Sequence, residues 1–395
     1  VRRSAHARYR SQLTALAADA LPVSIVERAG RDRGWWPPER RWIRTYGRFD
    51  PHHEPYVIVV LETEQAPQAL VRIEVFHKEP GARVADHWCL RDGTVGWLRV
   101  SRFTSDPSLP GLVALLANGG RPAVVGYRPS RRCTIRCDRG DDVCYAKVYR
   151  GNDGERRHLE GEALWAAATR GELGFRVARP DRWDPLTRTV WQHQVDGDPI
   201  GDRLAGSEGA RLVHRIGRAA GSLACSTVEP RETFDSAAQL ASTVQAGAEL
   251  CARVPHVADT VSALLEKLLF RRHDSGRRGL RPIHGAPRAK RWLDDGTTLG
   301  LLGFDGLAWG DPERDAAAFL GGLEGASDLA VPIGDLAEAF LAGYESVAGP
   351  LDRARLAVYR AHQRLATALR NARAVRPDGD ACAERDLARV AECVG

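Results

Sequence analysis

The chain has 395 residues, 43% of them hydrophobic and 27% charged, a balance that excludes disordered, fibrous and collagen-like classes and fits a globular protein. Its formal charge of +6 is carried almost wholly by arginine, with lysine only at Lys78, Lys147, Lys267 and Lys290, and acidic residues interspersed throughout, so a nucleic-acid surface is not expected. No apolar run approaches the ~20 residues of a membrane helix, so no membrane partner is expected either.

Taken in order, residues 5–20 have the spacing of an amphipathic helix, and Asp19 interrupts the apolar stretch 13–23 that a secretion signal would need. Residues 30–55 read as irregular, with Trp35, Trp36 and Trp42 beside Pro37 and Pro38. That aromatic group is either a partner-binding surface or, more commonly, a satellite core under a loop. Strands are expected at 56–62 and 69–77, and two more between 84 and 103 around an Asp92-Gly93 turn. A proline-rich break at 105–111 precedes a short helix at 111–117. Residues 1–118 thus form an α+β region of their own.

Three strands follow at 123–127, 132–138 and 143–149, and Lys147 stands on the third. A helix carrying Glu162 comes next, then a loop at 179–185, a strand at 189–194 and a hinge at 195–200. Helices are expected at 211–226, 234–252 and 257–270, with a polar break at 271–278, and again at 314–323, 333–347, 352–373 and 380–393. The eight cysteines lack paired C-x-x-C spacing, so Cys133, Cys137 and Cys144 read as buried free thiols in a reducing, cytoplasmic setting.

The segment Arg281–Leu320, RPIHGAPRAKRWLDDGTTLGLLGFDGLAWGDPERDAAAFL, organises the second half. Its order is strand, turn, strand, turn, helix, with Asp294-Asp295-Gly296 as a hairpin turn. It resembles the catalytic segment of the aminoglycoside phosphotransferase and choline kinase family, whose frame is His-Gly-Asp, four residues, Asn, a strand ending Ile-Asp-Phe-Asp/Glu, and Gly-Asp-Pro-x-x-Asp. The resemblance covers residues from about Ala123 onward and is most specific in Arg281–Leu320. It implies an α+β, two-lobed protein-kinase-like fold, with a small lobe at 119–198, a large, mostly helical lobe at 199–395 and the N-terminal region as an addition.

The resemblance also sets out what is missing. His284 and Gly285 stand in the frame, but Ala286 takes the catalytic Asp position, Arg291 the metal-binding Asn position and Gly303 the metal-binding Asp position. Asp315 is kept and is expected to brace the backbone of the His284–Ala286 turn; His284 is expected to be structural as well. Lys147 and Glu162 correspond to the nucleotide lysine and its helix glutamate, as an inward pair or as a retained structural ion pair. The loop before Arg132 contains Arg128, Pro129 and Arg131 but no glycine, so a phosphate-cradling backbone is not expected there. Asp305, two residues past Gly303 on what reads as a strand, and Asp311 are the acids that a relocated chemistry would use.

These substitutions imply a catalytically degenerate member that works by binding a protein, peptide or small-molecule partner, with no metal site and ATP and magnesium bound weakly or not at all. An active phosphotransferase or a repurposed transferase or lyase with relocated residues is the alternative. A third reading gives the N-terminal region the function. In the first reading Arg291 is expected to be held by a carboxylate, with Asp305 the nearest by motif.

Overall fold

The computed structural model describes residues 2–36, 41–64, 66–81, 86–117, 122–140, 142–204, 206–272, 279–324 and 331–394. Pro37 and Pro38, the expected boundary at 118 and most of the polar break at 271–278 lie outside the described residues. The chain divides into two compact units. One comprises residues 1–154, 183–191 and 369–383; the other comprises 155–182, 192–368 and 384–395.

The first unit begins with α1 (Arg2–Ala17) and α2 (Ala20–Arg33), followed by β1 (Trp42–Phe49), β2 (Val57–Thr63), β3 (Ala66–Phe76), β4 (His87–Asp92) and β5 (Gly96–Arg102). The strands form an antiparallel sheet in the order β1-β2-β3-β5-β4. Then come α3 (Gly111–Ala117), β6 (Ala123–Arg128), β7 (Arg132–Arg139) and β8 (Asp142–Tyr149). With β9 (Pro180–Asp184) and β10 (Thr189–His193) they make a second sheet, ordered β6-β7-β8-β10-β9.

Strand parity explains how the two sheets meet. Val57, Val59 and Leu61 on β2, with Val71, Ile73 and Val75 on β3, face α1 and α2 and pack with Leu16, Ile25 and Val26. Ile58, Val60 and Leu70, of opposite parity, pack with Cys133, Ile135, Ala146 and Val148 of the second sheet and with Leu109 and Leu112. β2 is therefore buried on both faces, which is why its sequence is a near-continuous apolar run. The residues 1–118 set apart in the sequence share this compact unit, and a common hydrophobic core, with the three strands that follow.

Two expectations are corrected in this unit. Residues 30–55 were expected to be irregular, but they contain the end of α2 and all of β1. Trp42 and Phe49 close the two ends of β1 against the helices, and Trp35 and Trp36 pack on the same core, so the aromatic group is part of that core. The loop expected at 179–185 contains β9.

The second unit holds most of α4 (Asp153–Thr169), β11 (Asp198–Pro199), α5 (Gly201–Leu204), α6 (Gly209–Cys225), β12 (Thr233–Phe234), α7 (Ser236–Arg253) and α8 (Ala258–Arg272). The organising segment supplies β13 (Arg281–Ile283), β14 (Trp292–Asp294), β15 (Leu299–Leu301), β16 (Ala308–Gly310) and α9 (Pro312–Leu323). The chain ends with α10 (Ile333–Ala348), α11 (Arg353–Arg373) and α12 (Gly379–Val394). Two small sheets, β11-β14-β15 and β12-β16-β13, hold the segment in place. Its apolar residues Trp292, Leu301, Leu307 and Phe319 join Leu212, Ile216, Phe340 and Tyr359 in one core. No helix among the described residues is long and apolar enough to cross a membrane.

Candidate functional site

The turn after β13 is built around Gly285. Its φ of +86° suits glycine, and a Cβ there would collide with the Gly306 carbonyl. The turn is fastened from α9. Asp315 Oδ2 accepts the His284 N–H at 2.6 Å, and Oδ1 accepts the Gly285 N–H at 2.8 Å. Burial raises the Asp315 carboxyl to about 6, opposed by the nearby Arg314 guanidinium and the two N–H donors. The His284 ring is enclosed as well. Nε2 lies 3.1 Å from the Leu302 carbonyl, which only accepts, so Nε2 carries the proton; Nδ1 then accepts the Ala286 N–H at 3.3 Å. With both nitrogens used and 1% exposure, His284 is committed to the fold.

Asp311 is equally committed. Its Oδ1 accepts from Arg355 Nη1 at 2.7 Å and its Oδ2 from the Tyr359 hydroxyl at 2.6 Å, all three residues being buried. It ties the start of α9 to α11. The hairpin β14–β15 turns as expected: Asp295 accepts the N–H groups of Thr297 and Thr298, while buried Asp294 is paired with Arg203 at 2.6 Å and Arg215 at 3.2 Å.

At the three positions that would carry chemistry the geometry is different. Ala286 presents a half-buried methyl group. Arg291 ends the 3-10 turn Ala289–Arg291 and donates from Nη1 to the Gly303 carbonyl. Gly303 has φ +83°, and a Cβ built on it would overlap that same Nη1. The two substitutions therefore fit each other: the guanidinium fills the space that a side chain at 303 would use. One acceptor of Nη1 is the Gly303 backbone carbonyl. The strand expected to carry Gly303 and Asp305 ends at Leu301, and residues 305–306 form a turn. The rule that places Gly303 and Asp305 on one face of a strand therefore does not apply; Asp305 sits half-buried in that turn.

The remaining predicted residues fall as follows. Lys147 is half-buried on β8 opposite Thr134, in the first unit. Glu162 lies in the second unit on the exposed side of α4, 3.5 Å from His158 one turn earlier. The buried acid of α4 is Glu160, whose Oε2 accepts from Arg157 Nη1 at 2.9 Å. Arg128 and Arg131 are exposed at the tip of the β6–β7 hairpin, whose turn closes with the Arg131 N–H on the Arg128 carbonyl at 3.1 Å.

That hairpin is pinned from beneath by a residue the sequence reading missed. Buried Asp106 Oδ2 accepts from the Ser130 N–H at 2.8 Å, from the Tyr127 hydroxyl at 2.8 Å, and faces Arg72 Nη1 at 2.9 Å. Arg72 is fully buried between the sheets, and the surrounding Tyr127, Glu74 and Asp106 outweigh desolvation and hold its guanidinium charged. The available signal was parity: Arg72 shares a face of β3 with Leu70, which packs into the core between the sheets.

The fold is that of choline kinase and aminoglycoside phosphotransferase structures. The chain is similar to a choline/ethanolamine kinase family protein from Mesorhizobium loti, with TM-score 0.51 and 15% identity over 74% of this chain and 92% of that one. It is similar to choline kinase LicA from Streptococcus pneumoniae, with TM-score 0.50 and 14% identity over 71% and 95%. A thermostable mutant of aminoglycoside phosphotransferase APH(4)-Ia gives TM-score 0.53 and 13% identity over 72% and 98%. No protein-family model and no curated protein matches the chain. At these identities the likeness establishes the fold. Positions 286, 291 and 303 offer a methyl group, a guanidinium and a carbonyl that the guanidinium engages.

Proposed function

We propose, from the premise that this chain has the two-lobed fold of choline kinases and aminoglycoside phosphotransferases, that it is a catalytically degenerate relative acting by binding. In this reading it is a scaffold or activator of a partner enzyme, or a holder of a ligand, with a bacterial natural-product or peptide-modification pathway as its setting. The supporting observation is the Arg291–Gly303 contact. Phosphoryl transfer in this fold depends on metal ions that neutralise the phosphates and on an acid that orients the attacking hydroxyl. A cation packed into the space of the missing carboxylate supplies neither, and it repels a divalent ion. Asp311 offers no substitute, because Arg355 and Tyr359 take both of its oxygens.

Transfer of labelled γ-phosphate from ATP, assayed with magnesium over a panel of aminoglycosides, choline and peptide hydroxyls, is expected to stay at background. The informative companion is Ala286→Asp, Arg291→Asn, Gly303→Asp made together, since Arg291 occupies the space that a side chain at 303 needs. Turnover by the wild type that disappears in Asp305→Ala would replace this reading with a relocated active site.

A further inference from the structure

A cavity of about 560 Å³ lies in the second unit, between α4 and the loop 229–231, and belongs to none of the positions considered above. Leu159, Ala163 and Pro230 form its apolar walls, Trp309 of β16 provides an aromatic one, and the exposed residues Glu229 and Arg231 lie on its lining. Glu160 also lines it and is only 3% exposed. One Glu160 oxygen, Oε2, is held by Arg157. The other, Oε1, is buried with no hydrogen-bond partner; Arg156 Nη1 stands 3.9 Å away and is in contact with Glu232. A buried carboxylate oxygen left without a donor is costly, and a cavity beside it is where a donor can enter.

We propose that this cavity binds a small molecule bearing a protonated primary amine, with the ammonium donating to Glu160 Oε1 and the carbon skeleton lying against Trp309. The surrounding charges select the amine through that single oxygen and not through net charge. Glu160, Glu229 and Glu232 are balanced by Arg156, Arg157 and Arg231. The indole face is a second attraction for a cation. The site is independent of the proposed function, since it shares no residue with the Arg291–Gly303 contact.

The test uses the full chain and two probes of equal shape, 2-phenylethylamine and 2-phenylethanol, with binding measured by ligand-observed NMR titration. The wild type is expected to bind the amine about tenfold or more tightly than the alcohol, as a charge-assisted hydrogen bond implies. Glu160→Gln, which keeps the shape and one acceptor oxygen, is expected to lose that preference. Trp309→Ala should weaken both probes. If Glu160→Gln does not fold, nuclear Overhauser contacts between the wild type and the amine decide the matter: contacts to the Trp309 ring and Glu160 methylenes support the site. Equal affinity of the wild type for both probes, an undiminished preference in Glu160→Gln, or contacts to another part of the chain would overturn the proposal.

Discussion

Two ends of the segment Arg281–Leu320 have been treated differently. At the helix end, Asp311 and Asp315 are buried and each makes two hydrogen bonds, one to α11 and the other to the His284–Gly285 turn. At the loop end, Ala286, Arg291 and Gly303 carry no acid, and a guanidinium packs against a glycine carbonyl. In the reading proposed above, the difference separates residues that shape the fold from positions where chemistry would be expected. The Asp311 and Asp315 carboxylates tie one element to another, and losing either leaves buried groups unpaired.

The comparison breaks most visibly at Asp311. Asp311→Ala strands Arg355 and Tyr359 in the core and is expected to cost about 3–5 kcal/mol in urea unfolding. A cost below about 1 kcal/mol would mean that the helix end is not the anchor described here. Next comes Asp315→Asn, which keeps one acceptor for two donors and is expected to cost about 1–3 kcal/mol. Its pH dependence has a definite sign. The Asp315 carboxyl is raised to about 6, above its unfolded value near ~4, so the folded state keeps a proton that the unfolded chain releases. This contribution is fully present below the unfolded value, is lost as pH rises towards 6, and is flat above it. Asp315→Asn should remove that slope from the stability profile.

How much of this was legible in the sequence varies by region. The frame of the segment could be read because its glycine, proline and acidic spacings are local and fix turns directly. The brace from Asp315 to the 284–285 backbone was implied by the family resemblance, through the Gly-Asp-Pro-x-x-Asp frame. The loop end was legible in its identities but not in its geometry: Gly303 at φ +83° turns the chain where strand alternation was assumed, and so Asp305 does not follow the i, i+2 rule. The N-terminal region hid its polar core for a different reason. Arg72 and Glu74 alternate with apolar residues on β3 as solvent-facing charges do, yet both are buried, and Arg72 reaches Tyr127 of the second sheet, distant in sequence. The choice between Glu160 and Glu162 likewise depends on what α4 packs against, which helix spacing alone does not state.

Smaller effects sharpen the loop end. Gly303→Ala combines a strained φ with overlap on Arg291 and is expected to cost about 1–3 kcal/mol. Arg291→Ala with Gly303→Ala should cost less than the two single changes added together, by roughly 0.5 kcal/mol or more, as neighbouring sites do. Strict additivity would mean that Arg291 does not fill that space. Smallest of all, Glu162→Ala on the exposed side of α4 should change stability by no more than about 0.5 kcal/mol.

The reading proposed above has a guanidinium standing where metal-dependent chemistry would need a carboxylate. It is tested most directly by thermal unfolding of the wild type with ATP, with and without magnesium. Because a ligand that binds the native state raises its apparent stability, the two curves are predicted to coincide. A rise of several degrees that requires both ATP and magnesium would contradict the claim.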